Sequence, residues 1–143
     1  MKYKYALAFL DMAERFGQTS TAERLKVGAL LVNHKGFPVA VGCNGTPAGW
    51  KHNYCEDPET GFTLPVVRHA ERAALDKLRN SSEKAENCIM FISHAPCLNC
   101  AIEMVDAGLS EVWYKHPYFK EGVEYREGID YLKSRGVIVT NPI

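Results

Sequence analysis

Neither sign of charge predominates in the chain, because 17 Lys and Arg offset 17 Asp and Glu among its 143 residues. That balance excludes the basic field with which proteins hold long phosphate polymers, so no nucleic acid polymer is expected as a partner. A small phosphate-bearing ligand would need only a few local cations. Long apolar runs are missing as well: the longest, such as residues 27–32, are strand-sized, and no membrane span is expected. The opening Met1-Lys2-Tyr3-Lys4-Tyr5 reads as the start of a mixed helix and not as a signal peptide. A soluble, intracellular, cytoplasmic protein is the expectation. No internal repeat, low-complexity tract or domain boundary interrupts the chain, and its length suits one domain over 1–143. The even cysteine count of a disulfide framework is also lacking. There are five cysteines, and a Cys-x-x-Cys pair near a His suits metal ligation in a reducing compartment.

The apolar residues Tyr3, Leu7, Leu10, Met12 and Phe16 recur at mainly helical spacing before Gly17, which predicts a helix over 2–16. Residues 27–32 read as a buried strand, 33–36 as a turn and 37–41 as its hairpin partner. The stretch 42–65 is rich in Gly, Pro and Asn, and loops of that length in a compact domain usually carry function. Over 69–78, Ala70, Ala73, Ala74 and Leu75 predict a helix with a small-residue face that packs closely on a sheet. Residues 88–93 read as a strand, Pro96 to Gly108 as a helix, 111–114 as a strand and 116–122 as a loop. A last helix over 123–135 and a strand over 136–140 complete the order helix-β-β-α-β-α-β-α-β. Such an order implies an α/β fold, a sheet covered by helices, with right-handed crossovers between parallel strands.

Chemistry concentrates in two short motifs, His69-Ala70-Glu71 and Pro96-Cys97-Leu98-Asn99-Cys100. Each stands at the start of a predicted helix, and Cys97 and Cys100 lie about one turn apart, where the positive end of the helix favours thiolates. One imidazole and two thiolates can hold three corners of a tetrahedral Zn2+, which leaves the fourth to water as catalytic zinc sites do. Glu71 would stand beside that corner. There it can take a proton from water and pass it to the N3 and then the amino group of a cytosine ring attacked at C4. This His-x-Glu and Pro-Cys-x-x-Cys pairing is the established signature of zinc deaminases, whose general mechanism is known. A purely structural zinc would want a fourth protein ligand and would have no need of the glutamate.

The motifs, the element order and the glycine loop together resemble the cytidine and deoxycytidylate deaminase superfamily over nearly the whole chain, and within it the deoxycytidylate (dCMP) deaminases, phage members included. Arg24-Leu25-Lys26-Val27-Gly28-Ala29-Leu30-Leu31-Val32 resembles the family's Arg-x-Gln-Val-Gly-Ala-x-x-Val; Gly42-Cys43-Asn44-Gly45-Thr46-Pro47 resembles its Gly-Tyr-Asn-Gly-x-Pro loop; Val67-Arg68-His69-Ala70-Glu71 resembles its Val-x-His-Ala-Glu. The resemblance implies a three-layer α-β-α fold with a five-stranded mixed sheet, and hydrolysis of dCMP to dUMP and ammonia, which supplies dUMP for dTMP synthesis. It gives Asn44 a contact with the substrate sugar and sets Ala70 against the substrate. It also implies a homohexamer, activation by dCTP with Mg2+ and inhibition by dTTP. Cys43 stands where the family has Tyr and Lys26 where it has Gln, both where a regulatory nucleotide is expected. Some phage relatives hold a second, structural zinc, for which His94, Cys55 and His52 are the conceivable ligands here; Ala22 occupies a position where several relatives carry Cys.

A monophosphate calls for charge-assisted donors, and Arg24, Lys26, Lys115 and Lys120 are the candidates, each with a solvated surface role as its alternative. Among the aromatic residues Trp113, Tyr114, Tyr118 and Phe119, the first two suit core and sheet faces, while Tyr118 in the loop is the better ligand candidate. His34 and His116 suit exposed turns, and Cys88 a packed strand end. The same zinc core would serve a deaminase of another cytosine nucleotide, a nucleoside, a base or a tRNA base, and the neutral surface speaks against tRNA. A catalytically silent nucleotide sensor is the alternative of another class, which an intact Glu71 disfavours.

Overall fold

Five consecutive residues with apolar or no side chains, Gly28–Val32, are buried along their whole length, which requires packing on both faces of that strand. The computed structural model, which describes residues 1–142, shows why. Residue 143, the end of the expected 1–143 domain, lies outside the described residues. In chain order the elements are α1 (Tyr3–Gly17), β1 (Gly28–Val32), β2 (Pro38–Cys43), α2 (Ala70–Arg79), β3 (Ile89–His94), α3 (Leu98–Asp106), β4 (Glu111–His116), β5 (Tyr118–Lys120), β6 (Val123–Tyr125), α4 (Glu127–Ser134) and β7 (Ile138–Thr140). Strand order in the main sheet is β2-β1-β3-β4-β7. β1 is antiparallel to both β2 and β3, while β3, β4 and β7 run parallel.

Alternation along β1 separates two cores, because successive side chains leave a strand on opposite faces. Leu30 and Val32 join Phe91 and Trp113 against Ala6, Leu10 and Ala13 of α1. Ala29 and Leu31 join Met90, Ile92 and Val112 on the other face, where Ala74 of α2, Met104 of α3 and Leu132 of α4 close the layer. The result is the expected three-layer α-β-α arrangement around a five-stranded mixed sheet. No helix is long and apolar enough to cross a membrane among the described residues.

Helix α2 sits directly on β2, main chain against main chain. A Cβ at Gly42 would lie 2.6 Å from the Ala74 amide nitrogen and 2.9 Å from the Ala70 carbonyl oxygen, so no other residue leaves room for that approach. The small-residue face predicted for this helix is what meets it.

The C-terminal third departs from expectation. The predicted loop 116–122 and the first residues of the predicted helix 123–135 form instead a separate β5–β6 hairpin. Glu121 (φ 50°) and Gly122 (φ 80°) are both left-handed, the backbone that two-residue hairpin turns demand. Val123-Glu124-Tyr125 alternates as a strand does, and α4 begins only at Glu127. A second adjustment is smaller: the helix predicted from Pro96 starts at Leu98, with Cys97 as its N-cap.

Because β1 and β3 are antiparallel and β3 and β4 parallel, the start of β1 and the ends of β2, β3 and β4 share one edge of the sheet. The site is assembled there.

Candidate active site

The site begins with the way α2 and α3 start. Ahead of α2, Gly45 and Arg68 exchange backbone hydrogen bonds of 3.0 and 2.8 Å, which tie the long loop to the segment that leads into His69. His69 is the extended N-cap of α2, and its carbonyl accepts the Ala73 N–H. Glu71 therefore falls in the first turn and points inward, 5 % exposed. On α3, Cys97 caps the helix, its sulfur accepting the Cys100 N–H at 3.5 Å. The two helix starts meet. His69 Nδ1 lies 3.2 Å from Cys100 Sγ and 3.5 Å from Cys97 Sγ, and the three donor atoms are all within 4.8 Å of one another.

These separations fit zinc. Tetrahedral Zn–S and Zn–N bonds of about 2.3 and 2.0 Å put neighbouring N and S donors about 3.5 Å apart. One nitrogen and two sulfurs are a zinc donor set, and Nδ1 is the ring atom that would bind. The thiols show the same disposition. Cys97 is pushed down to about 4, chiefly by the hydrogen bond from Cys100, with His69 and the Cys100 N–H adding to it against the opposing effect of burial. Cys100 is pushed up by that same pairing and by burial. The Cys97 hydrogen bond also raises His69, with the Glu71 charge adding and burial opposing. Glu71 is pushed up to about 7 by burial, against the lowering effects of its own backbone N–H, the His69 charge and the Cys100 thiol.

Beside the three donors lies a cavity of about 360 Å³, the size of a small-molecule site. Its wall includes His69, Glu71 and Cys97 together with the predicted Asn44, Ala70, Arg24, Tyr118 and Lys120. Arg24 sits 5.8 Å over the Phe62 ring, and Lys120 sits 4.5 Å over the Tyr125 ring. Asn44 braces the segment before β1: its Oδ1 accepts the Val27 N–H at 2.9 Å and its Nδ2 donates to the Leu25 carbonyl at 2.8 Å. It therefore has a structural task besides facing the cavity.

Two of the candidate cations lie elsewhere. Lys26 is exposed and stands outside the cavity wall. Lys115 pairs with Glu14 at 2.6 Å and Asp11 at 3.4 Å on the α1 side of the sheet. His116 is likewise bound to Glu14, at 2.6 Å, instead of standing free at a turn. Trp113 and Tyr114 are buried, and His34 and Phe119 are exposed.

The conceivable second-zinc ligands do not converge; among the described residues only His69, Cys97 and Cys100 cluster as metal donors. Cys55 is fully buried near the Thr21 hydroxyl, and His52 stacks on Tyr54 at 3.7 Å. His94 faces the cavity with Nδ1 held 2.9 Å from the Ser93 hydroxyl; burial first, then the nearby His116, keeps it below the usual histidine value. Tyr125 also lines the cavity and escapes a reading of the sequence, because residues 123–135 read as a helix that would carry it away. The signal available was the glycine at 122 between two short runs rich in aromatic and β-branched residues, Tyr118-Phe119 and Val123-Glu124-Tyr125.

The chain is similar to known proteins. The model of the family described as "Cytidine and deoxycytidylate deaminase zinc-binding region" matches residues 4–116. The deoxycytidylate deaminase of Homo sapiens is 29% identical over 130 residues, covering 86% of this chain and 68% of its own. That of Mycobacterium phage D29 is 30% identical over 118 residues, covering 74% of this chain and 90% of its own. Among solved structures, the dCMP deaminase of cyanophage S-TIM5 in complex with dCMP and dUMP superposes with a TM-score of 0.89 at 39% identity, covering 99% of this chain and 98% of its own.

Proposed function

The chain belongs to the cytidine and deoxycytidylate deaminase family, and from that premise we propose that it hydrolyses dCMP to dUMP and ammonia as a single domain over 1–143, supplying dUMP for dTMP synthesis. One observation carries the reading: a buried carboxyl, Glu71, shares a cavity with His69 and Cys97, close to Cys100, and with the cations Arg24 and Lys120. His69, Cys97 and Cys100 would hold a zinc ion, which when bound would supply the Lewis acidity that makes water nucleophilic near neutral pH. Glu71 would accept a proton from the attacking water as its oxygen bonds to C4 and deliver it to N3 of the cytosine; it would then carry the proton of the new C4 hydroxyl to the amino group, which leaves as ammonia when the C4–N bond breaks. A carboxyl pushed up to about 7 is suited to both taking and giving a proton at neutral pH. Ala70 and Tyr118 bound the base and sugar, and Asn44 offers its remaining donor and acceptor capacity to the sugar hydroxyl. Arg24 and Lys120 hold the phosphate through charge-assisted hydrogen bonds. The S-TIM5 relative was solved in complex with dCMP and dUMP, which supports this choice of nucleotide.

Ammonia release from dCMP, dCTP, deoxycytidine and cytosine tests the assignment, with dCMP expected to turn over fastest. Activity confined to deoxycytidine would overturn it. A homohexamer, activation by dCTP with Mg2+ and inhibition by dTTP belong to the same family reading and rest on resemblance alone. Titrating each effector into that assay tests the control.

A further inference from the structure

Two contacts fasten the hairpin and α4 to the turn that carries Cys97. The Tyr125 hydroxyl accepts the Leu98 backbone N–H at 3.1 Å. That N–H is one of the donors a helix start leaves without an internal partner. Gly128, in the first turn of α4, comes so close to the same turn that a Cβ there would lie 2.2 Å from the Pro96 carbonyl oxygen and 2.9 Å from that of Cys97. Tyr125 is meanwhile held in place by its neighbours: the Lys120 ammonium lies 4.5 Å from the centroid of its ring, and the Tyr118 ring meets it edge-on at 6.3 Å.

We propose that Tyr125 and Gly128 are positioning residues for the metal-ligating turn, fixing where Cys97 presents its thiolate. The Cys97 sulfur is a helix cap whose hydrogen-bond donor is the Cys100 N–H. With the Leu98 N–H engaged by Tyr125, that backbone donor does not compete for the sulfur's orientation. The close approach of Gly128 sets the path of the main chain from Pro96 into Cys97, since any side chain at 128 would displace those carbonyls. Groups that orient a metal ligand in this way typically contribute about ten- to a hundredfold in metal affinity. The inference rests on reading His69, Cys97 and Cys100 as zinc ligands, and not on which nucleotide the enzyme takes.

The test is zinc affinity by competition with a chromogenic chelator on the full chain, paired with the thiolate-to-cobalt absorption bands of the Co(II)-loaded protein. Tyr125→Phe keeps the ring and removes only the hydroxyl. It is expected to weaken zinc binding roughly tenfold and to shift the cobalt bands, with far-UV circular dichroism unchanged. Tyr131→Phe removes a hydroxyl from the same unit whose partner is Arg135, and should leave both readouts at the wild-type value. Gly128→Ala should weaken zinc more than Tyr125→Phe does; if it does not fold, the tyrosine pair decides. Wild-type zinc affinity and cobalt bands in Tyr125→Phe would overturn the proposal, as would an equal loss in Tyr131→Phe. Absence of ammonia from dCMP alongside the expected affinity pattern would refute the substrate reading alone.

Discussion

Glu71 lies two residues beyond a metal-ligand candidate, 5 % exposed, with burial as the main cause of its raised pKa. Its side chain is not a donor in the His69, Cys97 and Cys100 cluster. The proton transfer proposed for Glu71 and the metal binding proposed for the cluster are thus separable by one substitution. Glu71→Gln is expected to leave zinc content by elemental analysis unchanged and to lower ammonia release by about a hundred- to ten-thousandfold. Turnover close to wild type would remove Glu71 from the chemistry. The convergence of His69, Cys97 and Cys100 and the inward placement of Glu71 were legible in the sequence because they need little more than the geometry of two helix starts. Asn44 was legible as a residue of interest, but not its bracing of Leu25 and Val27, which depends on how the loop folds back. The cations were least legible. Lys26 and Lys120 are chemically alike, and only the path of the chain leaves the first outside the cavity wall and puts the second on it.

Elements carry those residues, and two of them are set by contacts between main chains. Gly42 lets α2 rest on β2, and α2 begins at the His69 cap. Gly42→Ala would force the two elements apart and is expected to cost about 1–3 kcal/mol of unfolding free energy, with weaker zinc binding because His69 moves with its helix. Gly45→Ala is the control, since a Cβ there meets nothing within 4 Å. Urea denaturation of both variants, read beside zinc competition, checks this; equal stability in the two would show that the close approach relaxes freely. Helices with strong apolar spacing were legible to within a few residues, as α1 and α2 show. The β5–β6 hairpin was not, because Val123 and Tyr125 fit the start of a helix as well as a strand alternation, and the two left-handed turn residues decide between them.

At the scale of the whole molecule, α1 is joined to β4 by a charged strut as well as by its apolar core. Glu14 binds Lys115 and His116 at the end of β4. The Lys115 hydrogen bond is the main cause holding the Glu14 carboxyl below its ordinary value of 4.5, with burial opposing and His116 assisting. In the unfolded chain that carboxyl binds its proton at the ordinary value, where the folded one is still charged. The strut's contribution is therefore complete above 4.5 and is lost as pH falls through the lowered folded value. The groups are partly exposed, so solvent screening keeps the contribution small. Urea midpoints at stepped acidic pH should fall less steeply for Glu14→Gln than for wild type; parallel acid limbs would exclude Glu14 as a source of the pH dependence.

The mixed sheet also separates the molecule into a working end and an idle one. The segment before β1 and those after β2, β3 and β4 all reach the cavity from one edge, whereas the 33–36 turn that joins β1 to β2 lies at the opposite edge. Gly36 there has φ 88° and nothing within 4 Å of where a Cβ would stand. Exposed turn tips of this kind accept added chain with little penalty. That turn is accordingly an attachment point, where a fluorophore, an affinity tether or a fused reporter could be grafted at the end of the sheet opposite the cavity.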